Sequence, residues 1–162
     1  MNRFLLLGLA LLSASAQADC AYRALAIEPE TPALYVGAGE RVRVEFDNYK
    51  LDGEVDSFPE PPLRIRQGDA VCQVDGGIWL RNAVLLDASE QRLLVQSFSG
   101  AGGELTFYDT SSCAQLARLE LPEASWALQG EQLVIGRNCS AAALAHCVER
   151  DVHTLNQQCL PQ

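Results

Sequence analysis

The sequence predicts an all-β fold made of packed antiparallel sheets of propeller-like hairpins that disulfide bonds hold together. Three observations lead to this prediction. Short apolar runs follow one another through most of the chain, at the spacing of strands in antiparallel domains. Clusters of Gly, Asp, Ser and Pro separate the runs and are typical of turns. The chain also has six cysteines, an even number that can pair completely.

The N-terminus has the features of an export signal. One arginine precedes the apolar residues 4–12, and Ala16-Gln17-Ala18 matches the A-x-A cleavage pattern. The apolar run is too short to cross a bilayer, since a spanning helix needs about 20 apolar residues. We therefore predict a cleavable signal peptide over residues 1–18 and a single all-β domain over residues 19–162. After cleavage the domain has no membrane segment and lies in an oxidising compartment.

Export explains the use of cysteine, because disulfides persist outside the reducing cytosol. We predict three disulfides, which six cysteines can form in fifteen ways. We expect Cys139 to pair locally with Cys147, and Cys20 or Cys159 to fix one terminus of the chain. A bridge of this kind typically contributes about 2–4 kcal/mol to stability. The predicted disulfide residues are Cys20, Cys72, Cys113, Cys139, Cys147 and Cys159.

The individual strands are predicted from hydrophobic periodicity. Residues 41–46 alternate polar and apolar side chains, as a half-buried strand does. Residues 78–121 resemble one blade of a β-propeller, with four strands, but the chain is too short for a closed ring of blades. The further predicted strands cover residues 70–74, 78–86, 92–98, 104–108, 115–121, 125–128 and 132–136.

Three segments depart from the strand pattern. Residues 47–62 combine prolines with acidic side chains and are predicted as a loop. Residues 141–148 are the one candidate for a short C-terminal helix, with Ser140 in position to cap it. Asp109 precedes Thr-Ser-Ser and is predicted to be a turn residue whose side chain accepts hydrogen bonds from its own backbone.

The charge balance is acidic. Without residues 1–18 the chain has 11 basic and 21 acidic residues, a net charge of −10. This balance argues against a nucleic-acid partner, because phosphate binding requires a basic patch. The acidity either serves solubility alone or attracts a basic partner over a distance.

No catalytic or metal site is predicted. A Cys–His nucleophile pair needs a free thiol, and an even cysteine set leaves none spare. The spacing of His146, Cys147, His153 and Cys159 matches no zinc pattern. We interpret the acidic loop as a solvated surface rather than as an acid/base pair for glycoside cleavage. The protein is therefore predicted to be no enzyme and to use no metal or cofactor. The acidic loop residues in question are Asp52, Glu54, Asp56 and Glu60.

The most distinctive loop consists of Ser99, Gly100, Ala101, Gly102 and Gly103. It connects two predicted strands, and five small residues are more than a two-residue hairpin turn requires. On the residues alone, a flexible turn is the simpler interpretation. The functional alternative is a narrow backbone finger that enters a cleft where larger side chains would clash. These five residues are the predicted partner-binding site.

Several sequence blocks, in this order along the chain, resemble a known family. It is the family of periplasmic immunity proteins that neutralise type VI secretion amidase effectors. The resemblance extends over most of the exported chain and includes the positions of all six cysteines. The blocks cover residues 58–62, 75–79, 98–100, 104–105, 108–109 with Cys113, and Trp126 with the closing cysteines.

The resemblance implies a partner and a mechanism. Effectors of this kind are small papain-like cysteine peptidases that cut amide bonds in peptidoglycan. Their immunity proteins bind them in the periplasm and protect the cell from its own or a sibling's toxin. In the family, the loop that matches residues 99–103 enters the effector's cleft and reaches its Cys–His pair through serines. Ala101 and Gly102 stand at those serine positions here, which leaves steric blocking by the loop backbone.

Two other classes of function remain open on the sequence. A periplasmic carbohydrate- or cell-wall-binding module would need exposed aromatic side chains along a groove, and Trp79 and Trp126 are the only tryptophans. A hydrolase would need a catalytic site, for which we find no residues. The acidic charge agrees with an amidase partner that has a basic surface, because such an enzyme must approach an anionic polymer.

Overall fold

The computed structural model describes residues 20–50, 53–99, 102–121, 124–141 and 143–162. The predicted signal peptide lies outside these residues. The described chain forms antiparallel strands in three sheets, which confirms the predicted all-β class. No helix in the described part of the chain is long and apolar enough to cross a membrane.

The strands in the described ranges are β1 Tyr22–Ala24, β2 Glu28–Thr31, β3 Leu34–Ala38, β4 Val42–Asp47, β5 Ser57–Pro59, β6 Leu63–Gln67, β7 Ala70–Val74, β8 Ile78–Asp87, β9 Arg92–Ser99, β10 Gly102–Asp109, β11 Gln115–Leu121, β12 Ser125–Gln129, β13 Gln132–Cys139 and β14 Cys147–Thr154.

These strands form three sheets of six, five and three strands. The six-stranded sheet has the order β1-β8-β9-β10-β11, with β5 also paired to β8. The five-stranded sheet has the order β2-β3-β4-β6-β7, and the third has the order β12-β13-β14. Consecutive antiparallel pairing of β8 to β11 agrees with the blade-like prediction for residues 78–121.

The six-stranded sheet is the middle layer, because side chains on both of its faces are buried. Successive residues of a strand point to opposite faces. On β9, Leu93 and Val95 belong to the core shared with the five-stranded sheet, whereas Leu94 belongs to the core shared with the three-stranded sheet. In the first core the rings of Phe46 and Phe58 stack with centroids 4.7 Å apart. Strands β9 and β10 are therefore held from both sides.

A buried carboxylate fastens the five-stranded sheet to the middle layer. Glu90, between β8 and β9, is 4% exposed. It accepts hydrogen bonds from the backbone N–H groups of Glu40, Arg41 and Val42 at 2.7, 2.8 and 3.0 Å. The Arg23 guanidinium adds an ion pair at 2.7 Å. Burial raises the pKa of the Glu90 carboxyl, but these N–H groups and Arg23 outweigh that effect and hold the pKa below its ordinary value.

The six cysteines form three disulfides, as predicted. The local bridge between Cys139 and Cys147 is confirmed, and Cys20 pairs with Cys159, so both ends of the described chain are fixed. The third bridge joins Cys72 on β7 to Cys113 in the turn after β10. It therefore crosses from the five-stranded sheet to the middle layer.

The helix predicted over residues 141–148 is wrong. A 3-10 turn occupies Leu144–His146, and β14 follows it directly. Cys139 and Cys147 lie opposite each other in the β13–β14 ladder, with Cα atoms 3.8 Å apart. An α-helix advances about 1.5 Å per residue and would carry its two ends apart. The cross-strand bridge therefore overrides the helix propensity of this alanine-rich segment.

Sequence periodicity also missed strands β1, β2, β3, β5, β6 and β14. Strand β2 has the sequence Glu-Pro-Glu-Thr and is exposed throughout, so it lacks the alternation on which the prediction depends. Strand β5 lies inside the predicted loop 47–62, which is therefore wrong over Ser57–Pro59. Proline at position 59 is tolerated there because β5 pairs through only one neighbour, β8.

Candidate functional site

The predicted finger is the end of the β9–β10 hairpin. Ser99 is the last residue of β9, and Gly102 pairs with it as the first residue of β10. Gly103 pairs with Phe98. The predicted five-residue loop is therefore wrong in length, because three of its residues belong to the strand ladder and only residues 100–101 connect the strands. Gly100 and Ala101 lie outside the described residues.

Gly103 is a glycine because its neighbours leave no room for a side chain. A Cβ atom there would lie 3.0 Å from Cε1 of the Phe98 ring and 3.2 Å from the Leu121 carbonyl oxygen. Both distances are shorter than ordinary van der Waals contact. The Phe98 ring thus covers Gly103 and takes the space of the missing side chain.

Gly102 has the opposite surroundings. It is exposed, and a Cβ atom there would have no described atom within 4 Å. Its partner Ser99 is also exposed. Ser99 and Gly102, which flank positions 100 and 101, are therefore both open to solvent, whereas the base of the hairpin is packed.

Polar side chains lock the base of the hairpin on the face that meets the five-stranded sheet. Ser97 and Glu104 lie opposite each other, and the Ser97 hydroxyl donates a hydrogen bond to the Glu104 carboxylate at 3.2 Å. Arg118 on β11 forms an ion pair with Glu104 at 2.5 Å. These contacts tie three adjacent strands together directly below the tip. Next to the base of the hairpin is a groove of about 520 Å³, lined in part by Gly77, Trp79 and Ser99.

The two tryptophans do not form an exposed binding surface. Trp79 is 2% exposed, and its indole N–H donates a hydrogen bond to the Pro61 carbonyl oxygen at 2.8 Å. Trp126 is half-buried and donates to the side-chain oxygen of Gln96 at 2.8 Å. A carbohydrate- or wall-binding module would need such rings free to stack on sugar. This placement speaks against that class.

The cysteines considered for metal or thiol chemistry form disulfides instead. Cys147 and Cys159 are disulfide-bonded, so neither is available as a thiolate next to His146 or His153. All six cysteines of the chain are paired. In the described ranges no three His, Cys, Asp or Glu side chains converge as a metal-binding group.

The acidic loop lies at the surface. Glu54, Asp56 and Glu60 are exposed, and Asp52 lies outside the described residues. Lys50 approaches the Asp56 carboxylate at 3.8 Å, a weak surface pair. These positions fit a solvated acidic surface.

Asp109 has the predicted turn role. Its carboxylate accepts hydrogen bonds from the backbone N–H groups of Ser111 and Ser112, each at 3.0 Å. The Ser111 hydroxyl, the Ser112 hydroxyl and these N–H groups hold the pKa of the Asp109 carboxyl below its ordinary value. The turn that carries Cys113 is thereby fixed.

Comparison with known proteins identifies the family. The family model described as "Immune protein Tsi1" matches residues 20–159. This chain belongs to the Tsi1 immune protein family. It is also 37% identical over 145 residues to the immune protein Tsi1 of Pseudomonas aeruginosa, covering 85% of this chain and 84% of that protein.

Membership in the Tsi1 family confirms the resemblance noted in the sequence, at the level of the family. It makes this chain an immunity protein, and an immunity protein implies a toxin effector as its binding partner. The match begins at Cys20 and ends at Cys159, the two cysteines whose disulfide joins the two ends of the domain. It therefore includes all three disulfides and the β9–β10 hairpin.

Two exposed apolar residues beside the tip were not predicted as site residues, although both lie in sequence blocks that carry the family resemblance. Ile78 on β8 is 38% exposed and its cross-strand partner Phe98 is 36% exposed. Both stand in runs of strand-forming residues, where a large apolar side chain ordinarily indicates core. The signal available was their position, since each begins or ends a strand next to glycine-rich sequence.

Proposed function

We propose that this protein is a periplasmic immunity protein that inhibits a type VI secretion peptidoglycan amidase by placing the tip of the β9–β10 hairpin in the enzyme's active-site cleft. The single observation that carries the proposal is the hairpin itself. Its tip is small and open at Ser99 and Gly102, while its base is tied to β11 through Glu104 and Arg118. Family membership supplies the class of partner.

The proposed inhibition is steric. A peptidase cleft admits an extended chain, so a thin hairpin end can reach its floor where a bulkier loop would clash. Gly102 brings no side chain to this end, and two serines of the matching family loop are replaced by Ala101 and Gly102. The backbone of the tip is therefore the blocking element. Because the base is already ordered, insertion loses little conformational entropy.

The proposed location follows from export and oxidation. Three disulfides require an oxidising compartment in most bacteria. The signal peptide over residues 1–18 remains a prediction. A peptidoglycan amidase acts in the periplasm, so an inhibitor made for the same compartment meets it there.

The direct test is a titration of amidase activity. The purified protein is added to a papain-like type VI amidase encoded beside its gene, with isolated peptidoglycan as substrate. We expect complete inhibition at a 1:1 ratio. We also expect that expression with its signal peptide protects a cell in which the amidase is directed to the periplasm, whereas expression without residues 1–18 does not. An amidase that stays fully active in excess protein would refute the proposal.

We propose further that the amidase offers a basic surface to this acidic protein, which has a net charge of −9 over the full chain. Attraction between opposite charges accelerates association, and salt shortens its range to about 8 Å at physiological ionic strength. We expect the association rate constant to fall about tenfold or more as salt rises from low to high ionic strength, while the dissociation rate changes little. Stopped-flow or surface binding kinetics measure both. An association rate constant that does not change with salt would contradict this proposal, and the acidic charge would then serve solubility alone.

A further inference from the structure

The tip alone is too small to hold two proteins together. Stable protein–protein interfaces typically bury about 800 Å² on each partner and involve about 20–30 residues a side. The two residues at positions 100–101 and their neighbours Ser99 and Gly102 supply only a small part of that area. Surfaces that adjoin the hairpin must therefore also contact the effector.

The adjoining surface differs between the two faces of the middle layer. Toward the five-stranded sheet the base of the hairpin is polar, with Ser97 and Glu104 opposite each other. On the other face a cross-strand row runs from β5 through β8 and β9 to β10. The members of this row, in order, are Pro59, Ile78, Phe98 and Gly103.

The row is the one place in the described chain where two large exposed apolar side chains are direct cross-strand partners. Ile78 and Phe98 lie opposite each other, and Pro59 beside them is exposed as well. The other exposed large hydrophobics stand apart from one another in the strand register: Tyr49, Val71, Leu116, Val148 and Val152. Apolar side chains that adjoin one another at the surface can form part of a larger interaction site, whereas singly scattered apolar residues are ordinary.

The Phe98 ring is held in place before any partner arrives. It packs over Gly103, where a Cβ atom would come within 3.0 Å of the ring. A ring supported in this way loses little freedom on binding. Phenylalanine is one of the aromatic residues that are enriched in protein–protein interfaces.

We propose that Ile78 and Phe98 form an apolar anchor that packs against an apolar surface beside the cleft of the same effector, and so fixes the orientation of the hairpin within it. This inference rests on the proposed function. Only one face of the hairpin base is apolar. The anchor therefore permits a single orientation of the hairpin about its long axis when the tip is in the cleft. The polar face with Ser97 and Glu104 then points away from the contact that the anchor makes.

The test is a binding measurement with substitutions in the anchor. The probe is the neighbouring-gene amidase with its nucleophilic cysteine replaced by alanine, titrated by calorimetry. We expect Phe98→Ala to raise the Kd about tenfold or more and Ile78→Ala to raise it several-fold. Val152→Ala is the matched control, since Val152 is exposed on the three-stranded sheet, and it should bind as the wild type does. Thermal melts report on folding, and Ile78→Ser replaces Phe98→Ala if the latter unfolds.

The outcomes separate the anchor from the proposed function. Wild-type protein that does not bind the amidase refutes the proposed function and the anchor with it. Wild type that binds and inhibits, with anchor variants that bind equally well, refutes the anchor alone. Sedimentation of the free protein tests whether a second copy of this chain occupies the row instead. A wild-type dimer that Phe98→Ala dissociates would assign the row to that second copy and overturn the proposal.

Discussion

Replacing Gly102 with tryptophan is expected to abolish inhibition of the amidase while the protein stays folded. Gly102 adjoins the connecting residues 100–101, is exposed, and has no described atom within 4 Å of its Cβ direction. Among the described residues the position is open at its Cβ, so a larger side chain can extend into solvent. An indole would, however, widen the tip beyond what a peptide-sized cleft admits. The measurement is amidase activity on peptidoglycan, titrated with each variant, with thermal melts beside it.

Two substitutions serve as controls for the tip experiment. Gly102→Ala adds one methyl group and should still inhibit. Gln132→Trp places the same indole on another hairpin, because Gln132 begins β13 and pairs with Gln129 across a two-residue connection. It is exposed, so this variant should fold and inhibit as the wild type does. Full inhibition by Gly102→Trp would mean that the tip does not enter the cleft.

The largest loss of stability is expected from Glu90→Ala. The substitution removes the acceptor of three backbone hydrogen bonds and the partner of Arg23. The Arg23 side chain is 48% exposed and can turn to water, so the loss comes mainly from the N–H groups. A buried polar group left without a partner typically costs about 1–3 kcal/mol, and we expect about 3 kcal/mol here, because Val42 is buried whereas Glu40 and Arg41 are exposed. Urea unfolding with the disulfides intact measures it. Glu131→Ala, an exposed acidic residue in the β12–β13 turn, should change stability by less than about 0.5 kcal/mol.

The Glu90 effect also has a predictable pH dependence. The folded-state pKa of this carboxyl lies below its ordinary value of 4.5. A carboxyl with a lowered folded pKa stabilises the protein fully above the unfolded pKa, and this contribution is lost as the pH falls through the folded pKa. The difference in stability between wild type and Glu90→Ala should therefore be constant near neutral pH and shrink below about pH 4.5. A difference that does not narrow in acid would contradict the assigned role of the carboxylate.

The sequence was sufficient to predict strands where burial imposes a clear apolar pattern. Strands β7 and β11 begin and end at the predicted residues, and the sequence Leu93-Leu94-Val95 has the continuous apolar character of a strand covered on both faces. The exposed edge strand β2 has no such pattern. The helix prediction over residues 141–148 followed local propensity, which a cross-strand disulfide overrides.

The position of the candidate site was predictable, but its geometry was not. Five small residues in a row indicate a turn between two strands, and the hairpin is there. Which of them belong to the ladder depends on the register of Phe98 with Gly103, and that register is set by packing against Leu121 on a third strand. The role of Glu90 was hidden for a similar reason. Its hydrogen-bond partners lie about 50 residues earlier in the chain. From the sequence alone, a single glutamate in a turn is predicted to be exposed to solvent.

The pairing of Cys20 with Cys159 makes residues 20–159 a covalently closed loop. The Cys72–Cys113 bridge divides this loop, and the hairpin tip lies between those two cysteines. A single cut between residues 100 and 101 would therefore leave two fragments that both bridges still join, with β9 and β10 still paired in the sheet. If the effector is a peptidase, as proposed, a cut at the tip would therefore not separate the two halves of the hairpin from each other or from the sheet.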